Sequence, residues 1–248
     1  MKKHSLRLFI LSCTLLCGSM GVLAQENLRS QMFSDADKIL AQAKEKKADF
    51  YSPASYAKAM QYYNEANDKF ARGGSLEEIR ERLKNAEAYF AKSLDLCKAG
   101  EVTFAATMGA RTDATSAGAQ KSSPELWDKA EEQFKKAARA LEENDMNNAK
   151  SVAGEAESIY RSAELEAIKA NFLSPARDLL RKAEAMNVKD NAPKTLQRAQ
   201  QLAVQVENLL TQKRYDTDEA RQLAQEAKYE AAHAIYLHQT IEIGRAHV

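Results

Sequence analysis

The stretch SPELWDKA at residues 123–130 decides the fold, because it recurs twice in related form. The earlier copy is SPASYAKA at residues 52–59, and the later copy is APKTLQRA at residues 192–199. Proline is well tolerated in the first turn of a helix, where its missing N–H has no partner to lose. Pro53, Pro124 and Pro193 recur at a nearly constant offset of about 70 residues, which is the signature of an internal repeat. The sequence therefore predicts three helices that begin at equivalent prolines.

Behind each proline, apolar residues recur at alternating spacings of three and four, which is the pattern of helices that pack along one stripe. A second stripe follows each first one in the same register. The first stripes are Tyr56, Ala59, Tyr63, Ala66, Phe70; Trp127, Ala130, Phe134, Ala137, Leu141; and Leu196, Ala199, Ala203, Val206, Leu210. The second stripes are Ile79, Leu83, Ala86, Phe90, Ser93, Cys97; Ala149, Ala153, Ala156, Tyr160, Ala163, Ala167; and Ala220, Ala224, Ala227, Ala231, Ala234, His238. Each pair of stripes predicts an antiparallel helical hairpin, with Trp127, Phe134 and Leu141 buried against Ala153, Ala156 and Tyr160.

The turns inside the hairpins are predicted at Gly73-Gly74, Asn144-Asp145 and Tyr215-Asp216. Six helices follow from these boundaries: 53–72, 76–107, 124–143, 146–172, 193–213 and 218–240. Ser52 is expected to cap the first of them, and Ser75 with Glu78 to form a capping box at the second. A leading helix is predicted from Phe33 to Lys47, and no strands are expected.

A short third helix is predicted in each unit, before the next proline. Gly118 and Asn187 each lie six residues before a proline, and both suit a helix end in the left-handed conformation. Ala43, Ala114 and Ala183 each lie ten residues before one. Ser174-Pro175 is expected to restart the corresponding helix in the second unit.

Composition agrees with a chain of long paired helices. Mean hydropathy is −0.55, 29% of residues are charged, and the chain has only 4 prolines and 9 glycines. The predicted fold class is all-α, an elongated array of three stacked antiparallel helical hairpins with a repeat of about 70 residues. The predicted domains are 1–24, a signal peptide; 25–51, a leading helix; 52–122, 123–191 and 192–242, the three repeats; and 243–248, a short tail.

The N-terminus has the pattern of a secretory signal peptide, with cleavage expected after Ala24. Three basic residues precede an apolar run, residues 8–22, that is shorter than the ~20 residues of a spanning helix. A membrane anchor and a lipoprotein are the alternatives; Cys13 and Cys17 are poorly placed for acylation. Cleavage would change the formal net charge from +1 to about −2, which argues against nucleic acid as a partner. Cys97 would then be the remaining cysteine, with no partner in the chain for a disulfide.

No stretch has the pattern of a catalytic, cofactor-binding or metal-binding site, and no cofactor or small-molecule substrate is predicted. His233 and His238 are five residues apart, whereas metal pairs on a helix need three or four. Cys97 falls in an apolar stripe and is expected to be a small buried residue. The charged runs 77–84 and 131–136 are interpreted as solvated helix faces. Tyrosines 51, 62 and 89 fit either a peptide or glycan surface or packing between hairpins.

The three proline stretches, together with KRYDTDEA at residues 213–220 and the alanine stripe behind it, resemble the helical region of OmpA-family envelope proteins. In that family the region precedes a domain that binds peptidoglycan. The resemblance covers roughly residues 35–242 and implies an exported protein, periplasmic or associated with the outer membrane, with protein partners in the envelope. The family's motif Asn-x-x-Leu-Ser-x-x-Arg-Ala is not met around Asn171 to Asp178, so no binding residue is carried over. Peptidoglycan is expected only through a C-terminal domain that the sequence does not include.

The tail IGRAHV at residues 243–248 is also what the common sequencing-library adapter ATCGGAAGAGCACACGTC encodes, and it is interpreted as a scar. The natural gene is therefore expected to continue past Glu242. The sequence favours a non-enzymatic helical spacer or interaction region linking the outer membrane region to peptidoglycan. The alternative is a periplasmic tetratricopeptide-like adaptor, because a unit of about 70 residues approximates two repeats of that class. An enzyme is the third and weakest interpretation.

Overall fold

The computed structural model describes residues 4–247, with side chains described from residue 25 onward. The chain is all-α, as predicted, and the described residues contain no strand. The helices are α1 (His4–Glu45), α2 (Ala48–Tyr51), α3 (Pro53–Ala71), α4 (Leu76–Thr103), α5 (Ala105–Ser116), α6 (Ala119–Ser122), α7 (Pro124–Glu142), α8 (Met146–Ala185), α9 (Pro193–Gln212) and α10 (Asp218–Ala246), with a 3-10 turn at Val188–Asp190. The side chains of the predicted signal peptide lie outside the described part of the chain.

The helices that begin at prolines match the prediction closely. Helices α3, α7 and α9 begin at Pro53, Pro124 and Pro193, and each ends within one residue of its predicted end. The predicted ends of the other three helices were wrong. Helix α10 runs on to Ala246. Helix α4 ends at Thr103 because the backbone leaves the helical conformation at Phe104 (φ −106°, ψ 15°), whose side chain is fully buried.

A restart of the helix was predicted at Ser174-Pro175, and this prediction was wrong. Helix α8 runs on to Ala185 with Pro175 inside it. A proline within a helix removes one backbone hydrogen bond and need not end the helix. Pro175 lies one repeat length after Phe104, so the interruption falls at equivalent places. The short third helix therefore exists separately as α5 in one repeat and as the continuation of α8 in the next.

A left-handed residue recurs six positions before each proline. Gly118 has φ 82° and Asn187 has φ 55°, which confirms the left-handed helix ends predicted there. Lys47 has φ 53° at the equivalent position before Pro53, although its side chain gives no sign of this conformation. One short helical turn then leads to a residue outside the helical and extended regions, with ψ of 65° at Ser52, 55° at Ser123 and 52° at Ala192, and the proline-begun helix follows. The same backbone path thus occurs three times with three different residues at its left-handed position.

The three turns inside the hairpins differ more in backbone conformation than the three segments that lead into the prolines. Gly73 (φ 68°) and Asn144 (φ 61°) are left-handed, and the amides that follow them bond back to the carbonyls of Lys69 and Ala140 at 2.9 Å. This is the Schellman arrangement at a helix end. The third turn, at Tyr215-Asp216, has no left-handed residue. The side chain of Ser75 makes no cap hydrogen bond, so the predicted capping box is wrong: the carboxylate of Glu78 pairs with Lys69 instead.

Residues up to 104 and 135–151 form one compact unit. Its core joins α1 to the hairpin of α3 and α4. Phe33 of α1 is fully buried, and its ring lies edge-on to Tyr63 at 5.9 Å and to Phe70 at 5.8 Å between centroids. The core positions predicted for α4 are all buried, from Ile79 to Cys97. The leading helix is therefore part of this core.

Residues 105–134 and those from 152 on form the second compact unit. Trp127 and Phe134 of α7 are 7% and 1% exposed, and the Trp127 ring lies 5.5 Å from that of Tyr160. The predicted stripe of α9 is buried throughout, and that of α10 is buried up to Ala234. Leu141, which belongs to the first unit, is 3% exposed. Burial of all three predicted core residues of α7 is thus confirmed.

Candidate functional site

The most deeply buried charged side chain in the described part of the chain is Glu164 of α8, which is 2% exposed. Its Oε1 accepts a hydrogen bond from the Tyr215 hydroxyl at 2.9 Å. Its Oε2 accepts from the guanidinium groups of Arg161 and Arg214, each at 3.2 Å. These four side chains are named the Glu164 cluster. Two positive charges offset the cost of desolvating one buried carboxylate.

Further bonds hold the arginines of the Glu164 cluster in place. Arg214 also donates to the backbone carbonyl of Arg161 at 2.9 Å, and Arg161 donates to Asp113 of α5 at 2.6 Å. The hydrogen bond to Asp113 raises the pKa of Arg161 above its usual value. Burial and the bond to Glu164 raise the pKa of Tyr215. Both oxygens of Glu164 are therefore occupied, and the cluster fastens the turn between α9 and α10 to α8.

A second polar cluster joins α5, α7 and α8 around Glu131. Arg111 donates to both oxygens of Glu131, at 2.6 and 3.3 Å, and the Tyr160 hydroxyl donates at 2.7 Å. The Arg111 guanidinium also lies 5.2 Å from the Trp127 ring centroid, within cation–π range. Burial, then the bond to Glu131, raises the pKa of Tyr160. The predicted solvated face at 131–136 is thus wrong for Glu131, which is half-buried and bonded.

Glu142, the last residue of α7, caps the start of α3. One of its oxygens accepts from the Ser52 hydroxyl and from the amide of Ser55, both at 2.7 Å, and the other accepts from the amide of Ala54 at 3.0 Å. Ser52 itself makes no side-chain cap bond, contrary to the prediction. A carboxylate at a helix N-terminus is favoured by the unpaired amides and by the helix dipole. The cap of α3 therefore comes from a residue 90 positions away from Ser52.

Comparisons with known proteins give no relative. No family model, curated protein or solved structure matches this chain. The resemblance to OmpA-family envelope proteins rests on the residues quoted from the sequence.

The two histidines of α10 lie apart, as their spacing predicts. His233 is beside the Tyr229 ring, at 5.8 Å between centroids. His238 Nδ1 lies 3.0 Å from the Asn191 amide nitrogen. Among the residues whose side chains are described, no group of three or more His, Cys, Asp or Glu side chains is placed to hold a metal ion. Both histidines are used in contacts with neighbouring side chains.

Cys97 is 1% exposed and borders a cavity of about 310 Å³. Burial raises the pKa of its thiol to about 11, with a further contribution from Glu101. A thiol of that pKa is almost entirely protonated at neutral pH, and the thiolate is the reactive form. Cys97 therefore behaves as a small buried apolar residue, as its place in the α4 stripe predicts.

A cleft of the second unit, between the end of α8 and the start of α9, has a volume of about 520 Å³. Its wall carries both signs of charge: Arg177, Arg181, Glu184, Lys189 and Asp190. Arg177 is already paired with Glu207 at 2.5 Å, outside the cleft wall. A wall of mixed charge, with one arginine already paired to a residue outside it, does not preorganise a site for an ion of either sign.

The tyrosines considered as a peptide or glycan surface lie in the first unit. Tyr51, Tyr62 and Tyr89 are half-buried against its core. The rings of Tyr62 and Tyr89 stack on one another, at 5.8 Å between centroids. Packing within one unit therefore accounts for these side chains.

Sequence reasoning missed the three carboxylates that organise these contacts, Glu131, Glu142 and Glu164. All three directly follow a residue of an apolar stripe, namely Ala130, Leu141 or Ala163, so each has the sequence context of an ordinary charged flank. Glu131 and Glu142 give no further sign of their bonds. Their partners are 20 to 90 residues away, so spacing within one helix does not reveal them.

Proposed function

We propose that this chain is a non-enzymatic cell-envelope protein, the helical spacer or interaction region of an OmpA-family protein that links the outer membrane region to peptidoglycan. The observation that carries the proposal is that the buried polar side chains bind one another and the backbone. Within the described part of the chain, every buried side-chain nitrogen or oxygen has a hydrogen-bond partner. Glu131, Glu142 and Glu164 each bind donors on other helices or turns. These bonds fasten the helices to one another, which a spacer or interaction region requires.

Helix length favours the spacer over a tetratricopeptide-like adaptor. A tetratricopeptide repeat places two helices in roughly 34 residues. Helix α4 alone has 28 residues and α10 has 29. At 1.5 Å per residue they are about 42 and 44 Å long, which suits a protein that bridges distance rather than one that lines a narrow groove.

An exported location is part of the proposal. It rests on the pattern of residues 1–24 and on the family resemblance. Within the described residues, none of the helices combines the length and apolar character that crossing a bilayer requires. Protein partners in the envelope are expected, and peptidoglycan is expected only through a further domain.

Two measurements test the link to peptidoglycan. Reading the gene past codon 242 is expected to reveal an OmpA-like domain; a stop codon close behind would contradict the link. The purified chain is expected not to co-sediment with cell-wall sacculi in moderate salt. Co-sedimentation would move the binding surface onto these helices.

Fractionation of cells that express the chain tests its export. The chain is expected in the periplasm, shortened by cleavage after Ala24. Retention of the full-length chain in the cytoplasm would contradict export.

A further inference from the structure

The far end of the α10 stripe is less covered than the same place in the other two repeats. One further step of three residues along the second stripes adds Gly100, Ala170 and Ile241. Gly100 is buried and Ala170 is half-buried, whereas Ile241 is exposed. Two neighbouring positions of α10 are likewise more exposed than both of their equivalents. The three side chains are named the α10 end face, and all precede the tail at 243–248: His238, Thr240 and Ile241.

In the first unit, the turn end of a hairpin covers the end of the helix that precedes it. Leu141 is the last stripe residue of α7 before its turn, and a Cβ atom added to Gly100 would lie 3.6 Å from Leu141 Cδ2. Phe70 is the last stripe residue of α3, and its ring lies edge-on to that of Phe33 of α1 at 5.8 Å between centroids. Phe33 lies one repeat length before Phe104, so the two contacts are at equivalent places.

The second unit contains the same contact. Leu210, the last stripe residue of α9, belongs to one buried cluster with Leu173 of α8. Ile168 and Phe172, which lie two residues before and after Ala170, pack against this cluster. In all three hairpins, therefore, the last stripe residue before the turn packs against the preceding helix. The α10 end face is the next place in this series, and it lacks such a cover in the described part of the chain.

We propose that the α10 end face is the docking surface for the turn end of a fourth helical hairpin, supplied by the same chain past residue 242. Each unit of a repeat array contacts its neighbour through the same kind of interface, which identifies the occupant as a hairpin of this repeat. A second copy of the chain does not fit, because Phe70, Leu141 and Leu210 are each already packed within their own chain. Docking would remove the apolar surface of Ile241 from water.

The repeat also gives the position of the fourth hairpin. Successive prolines are 71 and 69 residues apart, so the next one is expected between codons 262 and 264. Apolar residues are expected three, six, ten, thirteen and seventeen positions after it, as they occur after Pro53 and Pro193. The residue at the seventeenth position is the equivalent of Leu210 and is expected to cover Ile241.

Reading the gene past codon 242 tests this register. The proline and its stripe are expected at the stated positions, ahead of any other domain. A stop codon before that proline would overturn the proposal, and so would an OmpA-like domain that begins directly after codon 242, although the second result would support the proposed function. A fourth hairpin with no OmpA-like domain after it would support the docking surface and contradict the link to peptidoglycan.

Thiol labelling tests the contact in the protein. Ile241→Cys is made in the present chain and in the natural chain that includes the fourth hairpin. The new thiol is expected to react with iodoacetamide at least ~tenfold more slowly in the longer chain, because docking covers it. Gln222→Cys, at an exposed position of α10, is the matched control and is expected to react equally in both chains.

Equal labelling rates for Ile241→Cys in the two chains would overturn the proposal. Protection in the present chain that increases with its concentration would also overturn it, since a second copy would then be the occupant.

Discussion

Replacing Glu164 with glutamine is expected to lower the free energy of unfolding by about 3 kcal/mol, because breaking a buried ion pair by removing one partner costs ~3 to 5 kcal/mol. Glutamine keeps an oxygen for the Tyr215 hydroxyl but turns an NH₂ group toward Arg161 and Arg214. Two charge-assisted bonds of 3.2 Å thus become contacts between donors. The value is taken at the lower end because the side chains of Arg161 and Arg214 are 34% and 26% exposed.

Urea titration followed by circular dichroism measures this change, and Glu166→Gln is the matched control. Glu166 lies two residues away on the same helix and is 49% exposed, with its own bond to Lys169 at 3.1 Å. An exposed pair of this kind is worth ~0 to 1 kcal/mol, so the control is expected to unfold close to the parent. Equal urea midpoints for the two variants would refute the argument that the Glu164 cluster fastens the turn between α9 and α10.

Three further predictions concern the core, the recurrent turn and the thiol. Trp127→Ala removes a side chain that is 7% exposed and is expected to cost ~3 to 5 kcal/mol, which a thermal melt indistinguishable from the parent would contradict. Gly118→Ala is expected to destabilise the chain by ~1 kcal/mol because Gly118 has φ 82°. Gly154 lies in the interior of α8 with open space around it, so Gly154→Ala is expected to stabilise the chain by a similar amount. Urea midpoints of the two variants that move in the same direction would contradict both predictions. Cys97, with its pKa raised to about 11, is expected to resist iodoacetamide at pH 8 in the native chain and to react in denaturant, and native labelling mapped to its peptide by mass spectrometry would contradict its burial.

The helices and their buried faces were predictable because they follow from local patterns. Of the second-helix positions, only His238 is not fully buried, and it lies at the far end of its stripe. Proline fixes a helix start through its own ring, and glycine or asparagine marks a left-handed residue through its own conformational preference. Lys47 marks the limit of this reasoning. It adopts a left-handed conformation like that of Gly118, with φ 53°, and nothing in a lysine side chain indicates that.

Capping was predicted poorly for a different physical reason. Ser52 and Ser75 have the right side chains at the right positions, yet neither caps its own helix. For Ser52 a stronger acceptor is available, because the ionised Glu142 reaches three donors at once, and a charge-assisted bond is stronger than one to a hydroxyl. Local propensity decides a cap only where no charged group from elsewhere in the chain competes for the same amides.

The acids Glu131, Glu142 and Glu164 carry information that the apolar stripes lack. The three repeats share one register and many alanines, so their apolar stripes are alike. Apolar contact alone therefore distinguishes only weakly between packing a helix against its correct partner helix and packing it against the equivalent helix of another repeat. Each acid, however, occurs in one repeat only. The positions equivalent to Glu164 hold Leu94 and Ile235, and those equivalent to Glu142 hold Ala71 and Thr211.

A helix placed against the wrong neighbour would bury Glu164 without its donors, and an unpaired buried charge costs several kcal/mol. In the correct arrangement that cost is offset by Tyr215 and two arginines. The half-buried Glu142 would lose its bonds to two amides and a hydroxyl. We infer that these acids serve chiefly to distinguish the correct packing from its near-copies, as one polar residue sets the register of a coiled coil. On this argument Glu164→Leu, which gives the second repeat the residue of the first, weakens the distinction between repeats even where it leaves the helices intact.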